Sequence, residues 1–240
     1  MNPLNQVLIH CSGDNRMSSW GFSDVMIEGE QMSAHYMSRL ANDPSLPKNY
    51  TKLITLAKAR SQFQPLAYGP DRFYLYQFWG WNKSEPHEAG PARAHLWGLM
   101  MMHDSSVWAA GNAANIVKAT EELGWDDKVE FIPYWRKNNG LQVRSEVQPV
   151  VASGWKRGNG NLLVMVLNDS DTATSCQLSI DFGKFGFKGK SLKVSDHGHG
   201  GLAYPDSLLP QEVKESNLQP GQTLGLEVGQ HSYRLVRLHE

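Results

Sequence analysis

Apolar positions follow one pattern in the first half of the chain and another in the second. Val7-Leu8-Ile9 is a short apolar run that ends in the polar stretch His10-Cys11-Ser12-Gly13-Asp14, as a buried strand entering a loop would read. Val25-Met26-Ile27 repeats the pattern and ends at Glu28-Gly29-Glu30. From Tyr50, the residues Leu53, Ile54 and Ala57 keep helical spacing behind Asn49, a residue type suited to capping a helix. A second helix is predicted from about Ala92 to Met102. There Leu96, Leu99, Met100 and His103 share one face, while Trp97 and Met101 make the other sides apolar, so burial on several sides is expected. A third, near 113–123, sets Ile116, Val117 and Leu123 against Lys118, Glu121 and Glu122. Strands alternating with helices imply parallel pairing in an α/β layer or barrel.

Beyond Gly124, which suits a helix end, the spacing shifts to the period of strands. Val150-Val151-Ala152 and Leu162–Leu167 flank Arg157-Gly158-Asn159-Gly160-Asn161, and Asn-Gly supplies the positive φ angles of a tight hairpin turn. Cys176, Leu178, Ile180 and Phe182 alternate with Gln177, Ser179 and Asp181, giving one buried face. Leu192 and Val194, then Leu224, Leu226 and Val228, then Tyr233–Leu238 after the Gly229-Gln230 turn, continue the series. Several short strands with frequent turns predict an antiparallel sandwich. The fold class expected is therefore α/β plus all-β, divided into residues 1–126 and 127–240.

Composition sharpens this division. Of eight Trp, only Trp135 and Trp155 follow Trp125, and of nine Met only Met165 follows Met102, so the two halves have different cores. A length of 240 residues allows a sizeable core without metal or disulfide staples, and two cysteines, Cys11 and Cys176, exclude a disulfide-built scaffold. A formal charge of −1 gives no general attraction to nucleic acid. The longest apolar run, Leu162–Leu167, is far short of the roughly 20 residues of a membrane-spanning helix. Neither nucleic acid nor membrane is expected as a partner.

Candidate chemistry concentrates at strand ends. Carboxylates at the C-terminal end of a buried parallel strand are where α/β barrels place catalytic groups, which singles out Asp24, Glu28 and Glu30 around Val25-Met26-Ile27. Two carboxyl groups suit glycoside hydrolysis, one protonating the leaving oxygen and the other acting as base, nucleophile or charge stabiliser. The same acids also suit a helix start or a solvated face, and Asp24, before its strand, suits a structural role. His10, at another strand end, is a candidate contact for substrate hydroxyls. Between Tyr68 and Trp81, seven of fourteen residues are aromatic. Most suit a core, but Trp79 and Trp81, beside Gly80 and Asn82, suit a platform on which a sugar ring packs. Asp196-His197-Gly198-His199 reads as a turn rather than a metal site, and His103 as a hydrogen-bonded core or helix-end histidine. No phosphate-loop, dinucleotide, H-E-x-x-H or G-x-S-x-G motif occurs, so no metal and no cofactor are expected.

The segments FSDVMIEGEQ, FIPYWRKNNGLQV and VASGWKRGNGNLLVMVLNDSD resemble the ends of large glycoside-hydrolase-like proteins, above all those related to glycoside hydrolase family 123. The Asp24…Gly29-Glu30 and Phe131…Tyr134-Trp135 elements carry most of the resemblance. It implies a partial (β/α) barrel segment over 1–126, the C-terminal part of a (β/α)8-type barrel, followed by an antiparallel β-sandwich over 127–240. About three strand–helix units are too few to close eight strands. The expectation is a C-terminal piece of a longer polypeptide or split gene, whose partner is the missing N-terminal barrel portion or another chain. Its ligand would be carbohydrate, with Glu30 and Asp24 in catalysis and His10, Glu28, Trp79 and Trp81 in substrate binding, and the piece would be inactive alone. A non-catalytic carbohydrate-binding protein and a partner-dependent structural module are the alternatives.

Overall fold

The computed structural model describes residues 8–10, 25–28, 55–62, 71–74, 86–107, 114–200 and 211–240. The described elements are, in chain order, β1 (Leu8–His10), β2 (Val25–Glu28), α1 (Leu56–Gln62), β3 (Asp71–Tyr74), α2 (Pro86–Met101), β4 (Ser106–Val107) and α3 (Ala114–Leu123). Then follow β5 (Val129–Ile132), β6 (Leu141–Ser145), β7 (Val150–Arg157), β8 (Asn161–Asn168), β9 (Thr174–Ile180), the one-turn helix α4 (Phe182–Phe185), β10 (Leu192–His199), β11 (Lys214–Leu218), β12 (Thr223–Val228) and β13 (Ser232–His239). Most of this is antiparallel β-sheet, with few helices.

Strands β1 to β4 form one sheet in sequential order, each parallel to the next. That is one strand more than the three strand–helix units expected, because Ser106-Val107 is too short to show a pattern. The remaining strands make a six-stranded antiparallel sheet, in the order β11-β10-β13-β8-β7-β5, and a three-stranded one, β12-β9-β6. The hairpin expected around Gly158-Asn159-Gly160 is present, with Gly158 and Gly160 both at positive φ.

The continuous apolar run in β8 shows how these layers stack. Leu162, Val164 and Val166 pack with Cys176, Leu178 and Leu226 of the three-stranded sheet, so the two antiparallel sheets share a core. Leu163, Met165 and Leu167 point the other way and pack with Leu56 and Ala59 of α1, Leu96, Leu99 and Met100 of α2, and Ile116, Ala119 and Leu123 of α3. A strand buried on both faces has no polar side to alternate with, hence its unbroken hydrophobicity. The helices reach the sheet closely: a Cβ on Gly98 would lie 2.7 Å from Leu167 Cδ1.

Several local expectations change. The helix predicted from Tyr50 begins at Leu56, where Thr55 Oγ1 accepts a hydrogen bond from Lys58 N and acts as its cap; Asn49 lies outside the described residues. Val117 is 53% exposed rather than on the buried face of α3, because the sheet contacts the side that carries Ile116, Ala119 and Leu123. Phe182 leaves the β9 alternation to start α4, since Asp181 Oδ1 accepts from Lys184 N and caps the turn. Asp196–His199 is strand, with the register irregular between Asp196 and His199, rather than a turn: pairing with β11 and β13 overrides the glycine.

Candidate functional site

The parallel sheet places two of the expected residues together. His10 ends β1 and pairs with Ile27, next to Glu28, which ends β2 and pairs with Tyr74 at the end of β3. His10, Glu28, Tyr74 and Val107 thus stand along one edge, the C-terminal ends of four adjacent strands. Asp24, Glu30, Trp79 and Trp81 lie outside the described residues.

A second polar centre lies where the helices meet the antiparallel strands. The α2 terminus is fastened by β7: Ser153 Oγ donates to Met102 O at 3.1 Å, and Trp155 Nε1 donates to Asp104 Oδ1 at 2.8 Å. Asp104 adopts φ 57°, the left-handed conformation that closes a helix end. His103, buried as expected, is hydrogen-bonded through Nδ1 to Leu99 O at 2.7 Å and stacks on Trp135, over which the Arg60 guanidinium sits 3.9 Å from the ring centre. Tyr134 stands edge-on to the same imidazole, and burial pushes its phenol up to about 12.

Burial, helped by the nearby Arg60 charge, lowers His103 to about 4, against the opposing pull of the Leu99 carbonyl. The unfolded chain, near 6.5, therefore binds more protons between pH 6.5 and 4. Stability from neutral His103 is fully present above pH 6.5 and is lost as the pH falls towards 4. The shift corresponds to roughly 3 kcal/mol. Urea midpoints from pH 7 to 4 are expected to fall more steeply in the wild type than in His103→Gln; parallel slopes would contradict this.

On the same side of the six-stranded sheet, Asp169 follows β8 and is the hub of a further cluster. Its Oδ2 accepts from Leu56 N, the first amide of α1, at 2.7 Å. Its Oδ1 is 2.6 Å from His95 Nε2 on α2 and 3.6 Å from His231 Nδ1 in the turn before β13. His231 Nε2 in turn meets Asp171 Oδ1 at 2.9 Å. Burial alone would raise the Asp169 carboxyl, but the two imidazoles and the Leu56 amide hold it down at about 2. Burial drives His95 down, whereas His231, despite burial, is raised by its two carboxylate neighbours. Among the described residues, His95, Asp169 and His231 form the group whose ligand atoms, all within 4.8 Å of one another, could hold a metal ion. The sequence reading passed over them because they are far apart in the chain; the shared polarity of Asn168-Asp169-Ser170-Asp171 at a strand end was the one available signal.

A pocket of about 430 Å³ opens beside α3 on the six-stranded sheet, lined among others by Glu122, Lys193, Ser195, Glu215, Arg237 and His239.

No protein-family model matches the sequence, and no curated protein does. Solved structures that match include glycoside hydrolases. The chain is similar to a family 27 β-L-arabinopyranosidase from Geobacillus stearothermophilus, at 11% identity and TM-score 0.41, over 97% of this chain and 50% of that one. A family 30 endoxylanase from Clostridium papyrosolvens matches at 10% identity and TM-score 0.42, over 94% and 51%. A family 44 xyloglucanase from Paenibacillus polymyxa, solved with xyloglucan, matches at 17% identity and TM-score 0.32, over 77% and 35%. The chain spans about half or less of each. Likenesses this distant assign no activity, and none of them points to family 123.

Proposed function

We propose that the chain is part of a carbohydrate-active glycoside hydrolase, with the last strand–helix units of a (β/α) barrel over 1–126 and a β-sandwich over 127–240. The observation that supports this best is the order of the parallel sheet. Among the described residues, four strands pair in sequence order without reversal, each parallel to the next. Right-handed crossovers in unreversed order put connecting helices on one face, which is how a barrel is wound; a doubly wound sheet reverses from its first strand. In barrels the ligand sits at the C-terminal strand ends, the edge that carries His10 and Glu28.

In this reading the edge forms one wall of a sugar site. His10 and Glu28 contact hydroxyls, Trp79 and Trp81 supply the stacking platform, and Glu30 and Asp24 are the candidate acid and base. The four described strands do not enclose a barrel interior; in this reading further barrel strands supply the other walls, and the chain alone binds without turnover. The closeness to family 123 belongs to the same proposal and rests on the quoted sequence segments.

Screening the purified chain against neutral oligosaccharides tests the proposal, with tryptophan fluorescence reporting binding and released reducing ends reporting hydrolysis. Weak binding without hydrolysis is expected. Trp79→Ala and Trp81→Ala should each weaken it by roughly tenfold, the loss of one packed ring. In an enzyme completed with its missing strands, Glu30→Gln should abolish hydrolysis and leave binding. Failure of every oligosaccharide to bind, or binding indifferent to both tryptophans, would contradict the reading.

A further inference from the structure

The geometry points to a binding site for a divalent transition metal of the zinc type, built from His95 Nε2, Asp169 Oδ1 and His231 Nδ1. Three features separate this cluster from an ordinary hydrogen-bonded network.

The first is the donor set. Two imidazole nitrogens and one carboxylate oxygen lie within 4.8 Å of one another, and the His95 and Asp169 side chains are 2% and 6% exposed. Bonds of about 2.0–2.1 Å at tetrahedral angles set ligand atoms about 3.3 Å apart. The two distances from Asp169 Oδ1, 2.6 Å to His95 and 3.6 Å to His231, bracket that value.

The second is His231 itself. Its Nδ1 is buried and has no hydrogen-bond partner among the described residues, because 3.6 Å to Asp169 is beyond hydrogen-bond reach. Its Nε2 lies 2.9 Å from the Asp171 carboxylate, which holds a proton on that nitrogen and leaves Nδ1, on the side of Asp169, as the nitrogen an ion would take. A carboxylate holding the far nitrogen of an imidazole is the arrangement that orients histidine ligands on metals.

The third is the carboxylate's anchoring. The Leu56 amide holds Oδ2 at 2.7 Å, which turns Oδ1 towards both rings. For His95 to ligate through Nε2 as a neutral imidazole, its one ring proton has to sit on Nδ1 instead, and the charge of the ion takes the place of that proton beside Asp169. Three protein ligands leave a fourth position for solvent or an incoming group. The ion would join α2 to the β8–β9 and β12–β13 connections, a link between the helical layer and the antiparallel sheets. Its three ligands are none of the residues of the proposed sugar wall, and it does not rest on the carbohydrate reading.

Calorimetric titration of metal-free chain with zinc chloride tests it, with cobalt(II) absorption reporting coordination and thermal unfolding reporting linkage. One equivalent per chain is expected, with the visible bands of four-coordinate cobalt and a raised Tm. His231→Gln keeps a donor for Asp171 but has no atom at the Nδ1 position, and should weaken zinc binding by about a hundredfold. Asp171→Asn, at an 82% exposed side chain, should weaken it by about tenfold or more. Absence of a bound equivalent in the wild type overturns the assignment. So does wild-type affinity in His231→Gln or, if that variant does not fold, in Asp171→Asn.

Discussion

Trp155→Ala is expected to lower the unfolding free energy by about 3–5 kcal/mol, the range for truncating a large buried aromatic. Trp155 is fully buried on β7, where its ring packs against Phe131 and Trp125 at centroid distances of 5.7 and 5.8 Å. Its Nε1 also holds Asp104, the left-handed residue that ends α2. The substitution opens a cavity between the sheet and the helices and releases that helix end together. Against a typical total of about 5–15 kcal/mol, it should bring the protein close to its unfolding threshold. Urea unfolding followed by circular dichroism measures the loss. Trp125→Ala is the comparison, since Trp125 is 45% exposed and should cost about 1 kcal/mol or less. A Trp155→Ala midpoint no lower than that of Trp125→Ala would contradict the account of this joint.

Asp169→Ala is expected to be the other severe change, at about 3 kcal/mol or more, because it strips partners from groups that stay buried. His95 Nε2 would lose its acceptor in a site with almost no access to water, and α1 would lose the acceptor for its first amide. The effect should be local as well as global. Hydrogen exchange of the α1 amides should quicken in Asp169→Ala relative to those of the β8–β13 pairing, since α1 loses the acceptor of its first amide and the strand pairing loses none of its backbone bonds. Equal exchange of α1 in variant and wild type would show that Thr55 alone caps the helix.

These two residues also mark where the sequence stops being informative. Residues 162–167 announced a strand, and Arg157-Gly158-Asn159-Gly160-Asn161 announced the hairpin, because both signals are local in spacing. Strand β11, Lys-Glu-Ser-Asn-Leu, gave no signal: it is an edge strand in which Leu218 alone is buried, so nothing forces alternation. Leu141 and Val143 of β6 do alternate with Gln142 and Arg144, a signal that was there to be read. His10 and Glu28 were legible as strand ends because an apolar run stops at each. His95, Asp169 and His231 were not, because their meeting depends on how α2 crosses the six-stranded sheet. The Trp155–Asp104 bond spans 51 residues and the Asp169–Leu56 bond 113, distances at which pattern carries no register.

In the proposed function, sugar binds along the C-terminal edge of the parallel sheet. Amide chemical-shift mapping of the isotopically labelled chain, titrated with an oligosaccharide from the binding screen, tests it most directly. The account predicts that the largest shifts fall at His10, Glu28 and Tyr74 and in the segment through Trp79 and Trp81. Shifts confined to the pocket around Glu122 and Arg237, with that edge unmoved, would contradict it.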